Sequence, residues 1–170
     1  MDIFCYFSHH RITIPATWWI NAAHQHGIHV MGTVIFENGS EDEFLQMINN
    51  SSKSISQLAA LSQHYGFDGW FFNVEIDLPS GITYTDVTSL ISSLRAALRS
   101  GNPSALVIWY DSVTISGSLN YQNCLDDQNN AYFVASNGLF TNYWWWQNRS
   151  LIQTSIKTAN GDSRSPFDVY

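Results

Sequence analysis

Three polar residues lie at alternate positions near the end of one apolar segment of the sequence. Residues 69–76 read GWFFNVEI and precede Asp77, so Asn73, Glu75 and Asp77 are each two positions apart. Side chains of a β-strand alternate between its two faces, so these three would share one face, with neighbouring Cα atoms roughly 6–7 Å apart. A carboxyl group beside an amide at that spacing could supply acid–base chemistry and a hydrogen bond to adjacent atoms of one substrate.

The residue types alone leave two alternative roles open for this polar column. The three side chains could satisfy one another in a buried hydrogen-bond network, or they could belong to a cation site. The histidines support a cation site poorly, because His24 and His26 are two residues apart on a predicted helix and point in different directions. We therefore expect neither a metal ion nor an organic cofactor.

The opposite face of the same segment is entirely apolar. It carries Trp70, Phe72, Val74 and Ile76, which suit packing beneath helices. Strands of a covered parallel sheet are usually hydrophobic on both faces, so a polar column is costly unless it lines a wet cavity. The polar residues are at the carboxyl end of the segment, which is where barrels and open α/β sheets build their active sites.

The segments that must position these residues alternate between strand-like and helix-like patterns. Helices ending near Gly27, Gly66 and Gly101 separate the strands, which predicts an α/β fold with a parallel sheet, open or closed into a barrel. A further short helix is expected around residues 151–158. The predicted strands are residues 2–8, 29–36, 69–76, 105–112 and 139–146, and the predicted helices are residues 17–27, 41–66 and 84–101.

The amino-acid composition and charge indicate which partners and which cellular location to expect. The 170 residues contain 7 Lys and Arg against 14 Asp and Glu, a net charge of −7, with the cations scattered, so we expect no nucleic-acid or membrane partner. The N-terminus lacks the pattern of a secretory signal and no apolar stretch approaches a membrane span, which predicts a cytoplasmic protein. Cys5 and Cys124 are expected to be reduced thiols rather than a disulfide framework.

Four motifs in order along the chain resemble the endo-β-N-acetylglucosaminidases of glycoside hydrolase family 85. The central one is GFDGWFFNVEIDLP at residues 66–79, which contains the polar column. The others are DIFCYFSHHRITIPATWWINAAHQHGIHVMGTVIFE (2–37), ALVIWYDSVTISGSLNYQN (105–123) and GLFTNYWWW (138–146). The resemblance covers nearly the whole chain.

This resemblance implies a (β/α)₈ barrel enzyme that cleaves the β-1,4 bond in the chitobiose core of N-linked glycans or glycopeptides, with retention and without a metal. The 2-acetamido oxygen of the substrate acts as the nucleophile in that family, an exception to the two-carboxylate rule. By position, Glu75 resembles the general acid and base, and Asn73 resembles the residue that orients the acetamide. Tyr110 resembles a tyrosine near the acetamide, although its residue type also suits a core aromatic.

The same resemblance suggests substrate-binding residues. Trp144 matches an aromatic platform for the sugar acceptor, and Asn142 lies in the same motif. Tyr121 occupies a position where several relatives have tryptophan, so we expect binding of the acceptor sugar to differ at this position. Glu37, at the end of the second predicted strand, could reach the site or form a structural ion pair.

The length of the chain limits how much of a barrel it can form. A complete barrel takes about 250 residues. Five clear strands and a stub beginning at Phe167 make at most six, so we expect an incomplete catalytic barrel domain over residues 1–170, about strands two to seven. Three hypotheses remain: a glycosidase active as part of a longer chain, a glycan-binding remnant without turnover, and a structural α/β domain. No obligate protein partner is inferred.

Overall fold

Five parallel strands and one short antiparallel strand form the central sheet. The computed structural model describes residues 2–170. The parallel strands lie in the order β1-β3-β4-β5-β6, and β2 pairs antiparallel with β3. The strands are β1 (Ile3–Cys5), β2 (Ile12–Thr13), β3 (His29–Phe36), β4 (Gly69–Val74), β5 (Leu106–Tyr110) and β6 (Gly138–Phe140).

Helices connect the parallel strands and cover one face of the sheet. Neighbouring parallel strands require such crossover connections, because a tight turn can join only antiparallel neighbours. The helices are α1 (Thr17–His24), α2 (Glu41–Asn49), α3 (Ser51–Tyr65), α4 (Tyr84–Gly101), α5 (Asn130–Ala135) and α6 (Arg149–Gly161), with 3₁₀ turns at Trp145–Gln147 and Pro166–Asp168. The architecture is a partial (β/α)₈ barrel, which confirms the predicted fold class. None of the described helices is long and apolar enough to cross a membrane.

The two faces of the sheet bury different side chains. Trp70 and Phe72 of β4 point toward the helices and join the larger apolar core with Trp109 of β5. The rings of Phe72 and Trp109 stack with centroids 6.0 Å apart. Phe71 packs on the opposite face in a smaller cluster with residues of β3 and β5. The alternation predicted for this strand is therefore confirmed.

Helix α4 shows how local sequence fixes one of these elements. Thr83 and Asp86 form a capping box, in which the Thr83 amide donates to Asp86 Oδ2 at 2.8 Å, so the helix begins where the sequence supplies a cap. One stripe of the helix is buried against the sheet: Val87, Leu90, Ile91, Leu94 and Leu98. Spacing of three and four residues places these side chains on a single face.

Some details of the predicted elements are wrong. The helix expected over residues 41–66 is broken at Asn50, whose φ of −112° and ψ of 31° lie outside the helical region. Its side-chain amide and its backbone N–H both donate to the Gln46 carbonyl, at 2.8 Å and 3.0 Å. The strand expected over residues 139–146 ends at Phe140, and a 3₁₀ turn follows. Helix α5 and strand β2, which the sequence does not predict, are too short to show a clear period.

The C-terminal stub lies beside the last strand. Leu139 and Val169 form a parallel bridge, and the Tyr170 amide donates to the Leu139 carbonyl at 2.8 Å. The Thr141 amide donates in turn to the Tyr170 carbonyl at 2.9 Å. Val169 and Tyr170 therefore have strand-like pairing with β6, whereas Phe167 and Asp168 of the predicted stub lie in the 3₁₀ turn.

Gly69, at the start of β4, is required by the close approach of β5. Its φ is +145°, and a Cβ placed on it would lie 1.8 Å from the Leu106 carbonyl oxygen. We expect Gly69→Ala to lower the free energy of unfolding by about 3 kcal/mol, because both strain and a backbone clash result. Urea unfolding of the purified protein measures the loss.

Gly161→Ala is the matched control for this substitution. Gly161 ends α6 and has no heavy atom within 4 Å of the added methyl group. Its replacement should leave stability unchanged or raise it by at most about 1 kcal/mol. Equal effects of the two substitutions would contradict the proposed clash at Gly69.

Candidate active site

Asn73 and Glu75 lie together at the carboxyl end of β4. Asn73 is 2% exposed within the strand, and Glu75 is the first residue after it. The Glu75 amide donates to the Phe36 carbonyl at 2.7 Å, which extends the pairing of β3 with β4 by one residue. Glu75 therefore stays on the face that Asn73 occupies, as the alternation predicts.

Both side chains line a cavity of about 320 Å³ on the face of the sheet opposite the large core. Its walls are mainly aromatic. The lining residues are Cys5, Phe7, His9, Phe71, Asn73, Glu75, Tyr110, Phe140, Thr141 and Tyr143. Glu75 is the one carboxylate in this lining among the described residues. An apolar cavity with a few convergent polar groups is the usual form of a small-molecule site.

The third member of the polar column does not join this cavity. Asp77 follows the end of β4, and its Oδ1 accepts a hydrogen bond from the Leu119 amide at 2.7 Å. It therefore anchors the loop after β5. Asp77 lies beyond the end of β4, so the alternation of side chains no longer places it beside Glu75.

The buried side chain of Asn73 is incompletely paired. Its Oδ1 has no hydrogen-bond partner within residues 2–170. Most buried polar atoms have a partner, and an unpaired one costs about 1–3 kcal/mol. A mutual hydrogen-bond network of the polar column therefore does not explain Asn73.

Tyr110 brings a hydroxyl group to the same cavity from the adjacent strand. It ends β5, and its ring centroid lies 5.8 Å from that of Phe71. Its hydroxyl donates to Asn142 Oδ1 at 2.9 Å. Burial raises the pKa of the Tyr110 phenol above its ordinary value, and the negative charge of Glu75 adds to the effect. The hydroxyl therefore keeps its proton at neutral pH.

Two further predicted residues lie at the margin of the cavity. The ring of Tyr121 is 6.3 Å from that of Tyr110, and burial followed by the nearby Glu75 carboxylate raises the pKa of Tyr121 to about 12. Glu37 lies just after β3, and its Oε1 is within hydrogen-bond distance of His9 Nδ1, at 2.8 Å. His9 lines the cavity, so Glu37 reaches it through a partner.

Trp144 lies outside the cavity lining. Its ring is 55% exposed and 6.3 Å from that of Trp146, while the preceding Tyr143 lines the cavity. Asn142 is 8% exposed and contacts the site by its bond to Tyr110. In this motif Tyr143 lines the cavity wall, whereas the resemblance suggests Trp144 as the residue that contacts the sugar.

Sequence reasoning missed several residues of the cavity wall. Cys5 and Phe7 are two positions apart in an apolar segment, so the alternation that identifies Asn73 and Glu75 could also have paired them. Tyr143 follows the end of a strand and has no periodic signal.

Burial raises the pKa of the Cys5 thiol to about 12, and both cysteines are free.

The described residues contain no group of three or more His, Cys, Asp or Glu side chains that could hold a metal ion. The protein groups that converge in the cavity are one carboxyl, one buried amide with an unpaired oxygen, and one phenol that remains protonated. All three lie at the carboxyl ends of adjacent parallel strands.

Comparison with known proteins identifies relatives of this chain. The model of Glycosyl hydrolase family 85 matches residues 1–170. A cytosolic endo-beta-N-acetylglucosaminidase of Gallus gallus is 44% identical over 150 residues, 85% of this chain and 20% of that protein. Cytosolic endo-beta-N-acetylglucosaminidase 2 of Arabidopsis thaliana is 38% identical over 174 residues, 100% of this chain and 24% of that protein. The chain thus spans about a quarter or less of the length of these relatives.

The solved structures support the fold of this chain, and the match to the family model shows which family it belongs to. The glycoside hydrolase domain of Endo-D from Streptococcus pneumoniae R6 superposes with a TM-score of 0.74 at 22% identity, covering 85% of this chain and 25% of that one. An endo-beta-N-acetylglucosaminidase from Cordyceps militaris gives 0.57 at 15% identity, covering 95% and 53%. At these identities the two structures support the partial barrel alone. Because the family model matches the whole chain, this protein belongs to glycosyl hydrolase family 85.

Proposed function

We propose that this protein is an endo-β-N-acetylglucosaminidase that hydrolyses the β-1,4 bond in the chitobiose core of N-linked glycans or glycopeptides. Relatives at 44% and 38% identity carry that enzyme name and are called cytosolic, which supports the same activity and location here. The observation that carries the proposal is the unpaired Oδ1 of Asn73 beside Glu75 in an aromatic cavity.

The acetamido group of an N-acetylglucosamine residue suits Asn73. Its N–H is a donor, which the buried Oδ1 lacks within the described chain. As the acetamide attacks, positive charge develops on its nitrogen, so a fixed acceptor binds the transition state more strongly than the ground state. Asn73 in this role both orients the nucleophile and stabilises the charge.

Glu75 acts as the proton donor and acceptor in the proposed reaction. In the first step the acetamido oxygen bonds to the anomeric carbon, the glycosidic C–O bond breaks, and Glu75 gives its proton to the leaving oxygen. In the second step the Glu75 carboxylate takes a proton from water, whose oxygen displaces the acetamido oxygen from the same carbon. Two inversions at that carbon give net retention.

The other predicted residues have supporting roles in this proposal. Tyr110 contacts the acetamide from the neighbouring strand, and the half-buried Tyr121 lies beside the general acid. Aromatic side chains pack well against the apolar faces of sugars. The exposed ring of Trp144 would contact the sugar on the acceptor side, together with Asn142 and Glu37 at the margin.

We expect Glu75→Gln to lower the rate of glycan release by about 10²–10⁴-fold, since the alkoxide leaving group needs a proton in the transition state. The protein, in the longest form that its gene encodes, is assayed on a fluorescent N-glycan. A preformed sugar oxazoline should still react, because it bypasses the first protonation.

Glu41→Gln is the matched control for Glu75→Gln, since Glu41 begins α2 and is not among the residues that line the cavity. It should release glycan at the wild-type rate. Normal turnover by the Glu75→Gln protein would remove Glu75 from the mechanism. Glycan binding without release by the wild type would favour a binding protein instead.

Asn73→Ala should lower kcat more than it raises KM, because the contact to the acetamide strengthens chiefly in the transition state. Steady-state kinetics on the same substrate measure both constants. Asn21→Ala, at an exposed site on α1, controls for loss of an amide side chain. Unchanged kcat with a raised KM would assign Asn73 to ground-state binding and contradict its role in the reaction.

A further inference from the structure

A chain of hydrogen bonds leads from a backbone amide to the cavity and fixes the direction of each side chain in it. The Trp144 N–H can only donate, and it lies 3.2 Å from Asn123 Oδ1. That contact identifies the oxygen end of the Asn123 amide. Asn123 Nδ2, at the other end, donates to the Tyr121 carbonyl at 3.3 Å.

The orientation of Asn123 determines the orientation of Asn142. Asn142 Nδ2 donates to Asn123 Oδ1 at 2.9 Å, so Asn142 Oδ1 faces the Tyr110 hydroxyl, also at 2.9 Å. An amide oxygen can only accept, so the single phenolic proton of Tyr110 is directed toward Asn142. The oxygen of Tyr110 therefore faces the cavity with its lone pairs.

Asn123 is itself held in an unusual conformation. Its φ is +59°, in the left-handed region, which Asn tolerates better than most residues. Its backbone N–H donates to Asp111 Oδ2 at 2.6 Å. Asp111 is fully buried and also accepts from the Gln122 amide at 3.1 Å and from Asn129 Nδ2 at 3.0 Å. The anchored carboxylate fixes the place of Asn123 relative to β5.

We propose that Asn123, anchored by Asp111, is a positioning residue that sets the Tyr110 hydroxyl as a hydrogen-bond acceptor toward the cavity. That acceptor lies beside Asn73 in the cavity wall and recognises the N–H of an acetamido group as it becomes positively charged. The inference rests on the proposed function and adds a residue outside the cavity to it.

Asn123→Gly tests the role with little risk to the fold. Glycine adopts the positive φ freely and keeps the backbone N–H that bonds to Asp111, while the Oδ1 that orients Asn142 is lost. We expect kcat for glycan release to fall about 10- to 100-fold, because the acceptor is no longer held in place. KM should change by less than about threefold.

A double-mutant cycle with Tyr110→Phe separates positioning from general structural damage. If Asn123 acts through the Tyr110 hydroxyl, Asn123→Gly should lower kcat by less than about twofold in the Tyr110→Phe background. Ser163→Gly is the matched control, since Ser163 is exposed after α6 and has a φ of +56°. It should have wild-type kinetics.

Equal losses from Asn123→Gly in both backgrounds, or no loss in the wild type, would overturn the inference while leaving the proposed function intact. A wild-type protein that releases no glycan would overturn the proposed function. In that event calorimetric binding of N-acetylglucosamine thiazoline, a stable analogue of the positively charged intermediate, replaces kcat in the same cycle. Weaker binding in Asn123→Gly that disappears in the Tyr110→Phe background supports the inference, and unchanged binding overturns it.

Discussion

Alternation of side chains along β4 is the constraint on which the rest of the structure depends. Trp70 and Phe72 complete the core beneath the helices, while Phe71 and Asn73 face the cavity. A shift of one residue in register would place the amide in the core and an indole in the cavity. The pairing of β4 with β3 and β5 therefore fixes both the packing and the candidate chemistry, and the absent side chain of Gly69 permits the close approach to β5 that this pairing needs.

The sequence reveals the regular elements and the residues on them well, since periodicity is a local property. The parallel strands, the apolar stripe of α4 and the shared face of Asn73 and Glu75 all follow from spacing of two or of three to four residues. The pattern over residues 41–66 predicts one continuous helix, because the spacing of apolar residues does not show that the backbone of Asn50 leaves the helical conformation. The pattern also groups Asp77 with Glu75, because alternation does not reveal where a strand ends.

Residues on irregular segments are harder to predict, because their positions depend on contacts distant in sequence. Tyr143 reaches the wall and Trp144 does not, although the two are adjacent in one aromatic motif. Their placement depends on Asn123, whose Oδ1 accepts from the Trp144 amide, and on the Asp111 carboxylate that holds the Asn123 amide. A fully buried carboxylate with several N–H donors fixes a loop firmly, because losing any donor would leave charge unpaired. From the sequence alone, Asp111 is only a polar residue inside the strand predicted over residues 105–112, whereas the observed strand ends at Tyr110.

The distribution of carboxylates supports a mechanism in which the nucleophile comes from the substrate. A retaining enzyme with its own nucleophile needs a second carboxylate about 5 Å from the acid. Of the neighbouring acids in the described chain, Asp77 bonds to the Leu119 amide, Asp111 is buried among donors, and Glu37 contacts His9. Each is occupied by a structural contact, and none lines the cavity beside Glu75. The wall instead contains the Asn73 amide and the Tyr110 hydroxyl, both neutral, and in the proposed function these bind the N–H of the acetamido group and leave its oxygen unpaired. Under that proposal the oxygen is free to attack, so the contacts proposed to select an acetamido sugar would also prepare its nucleophile.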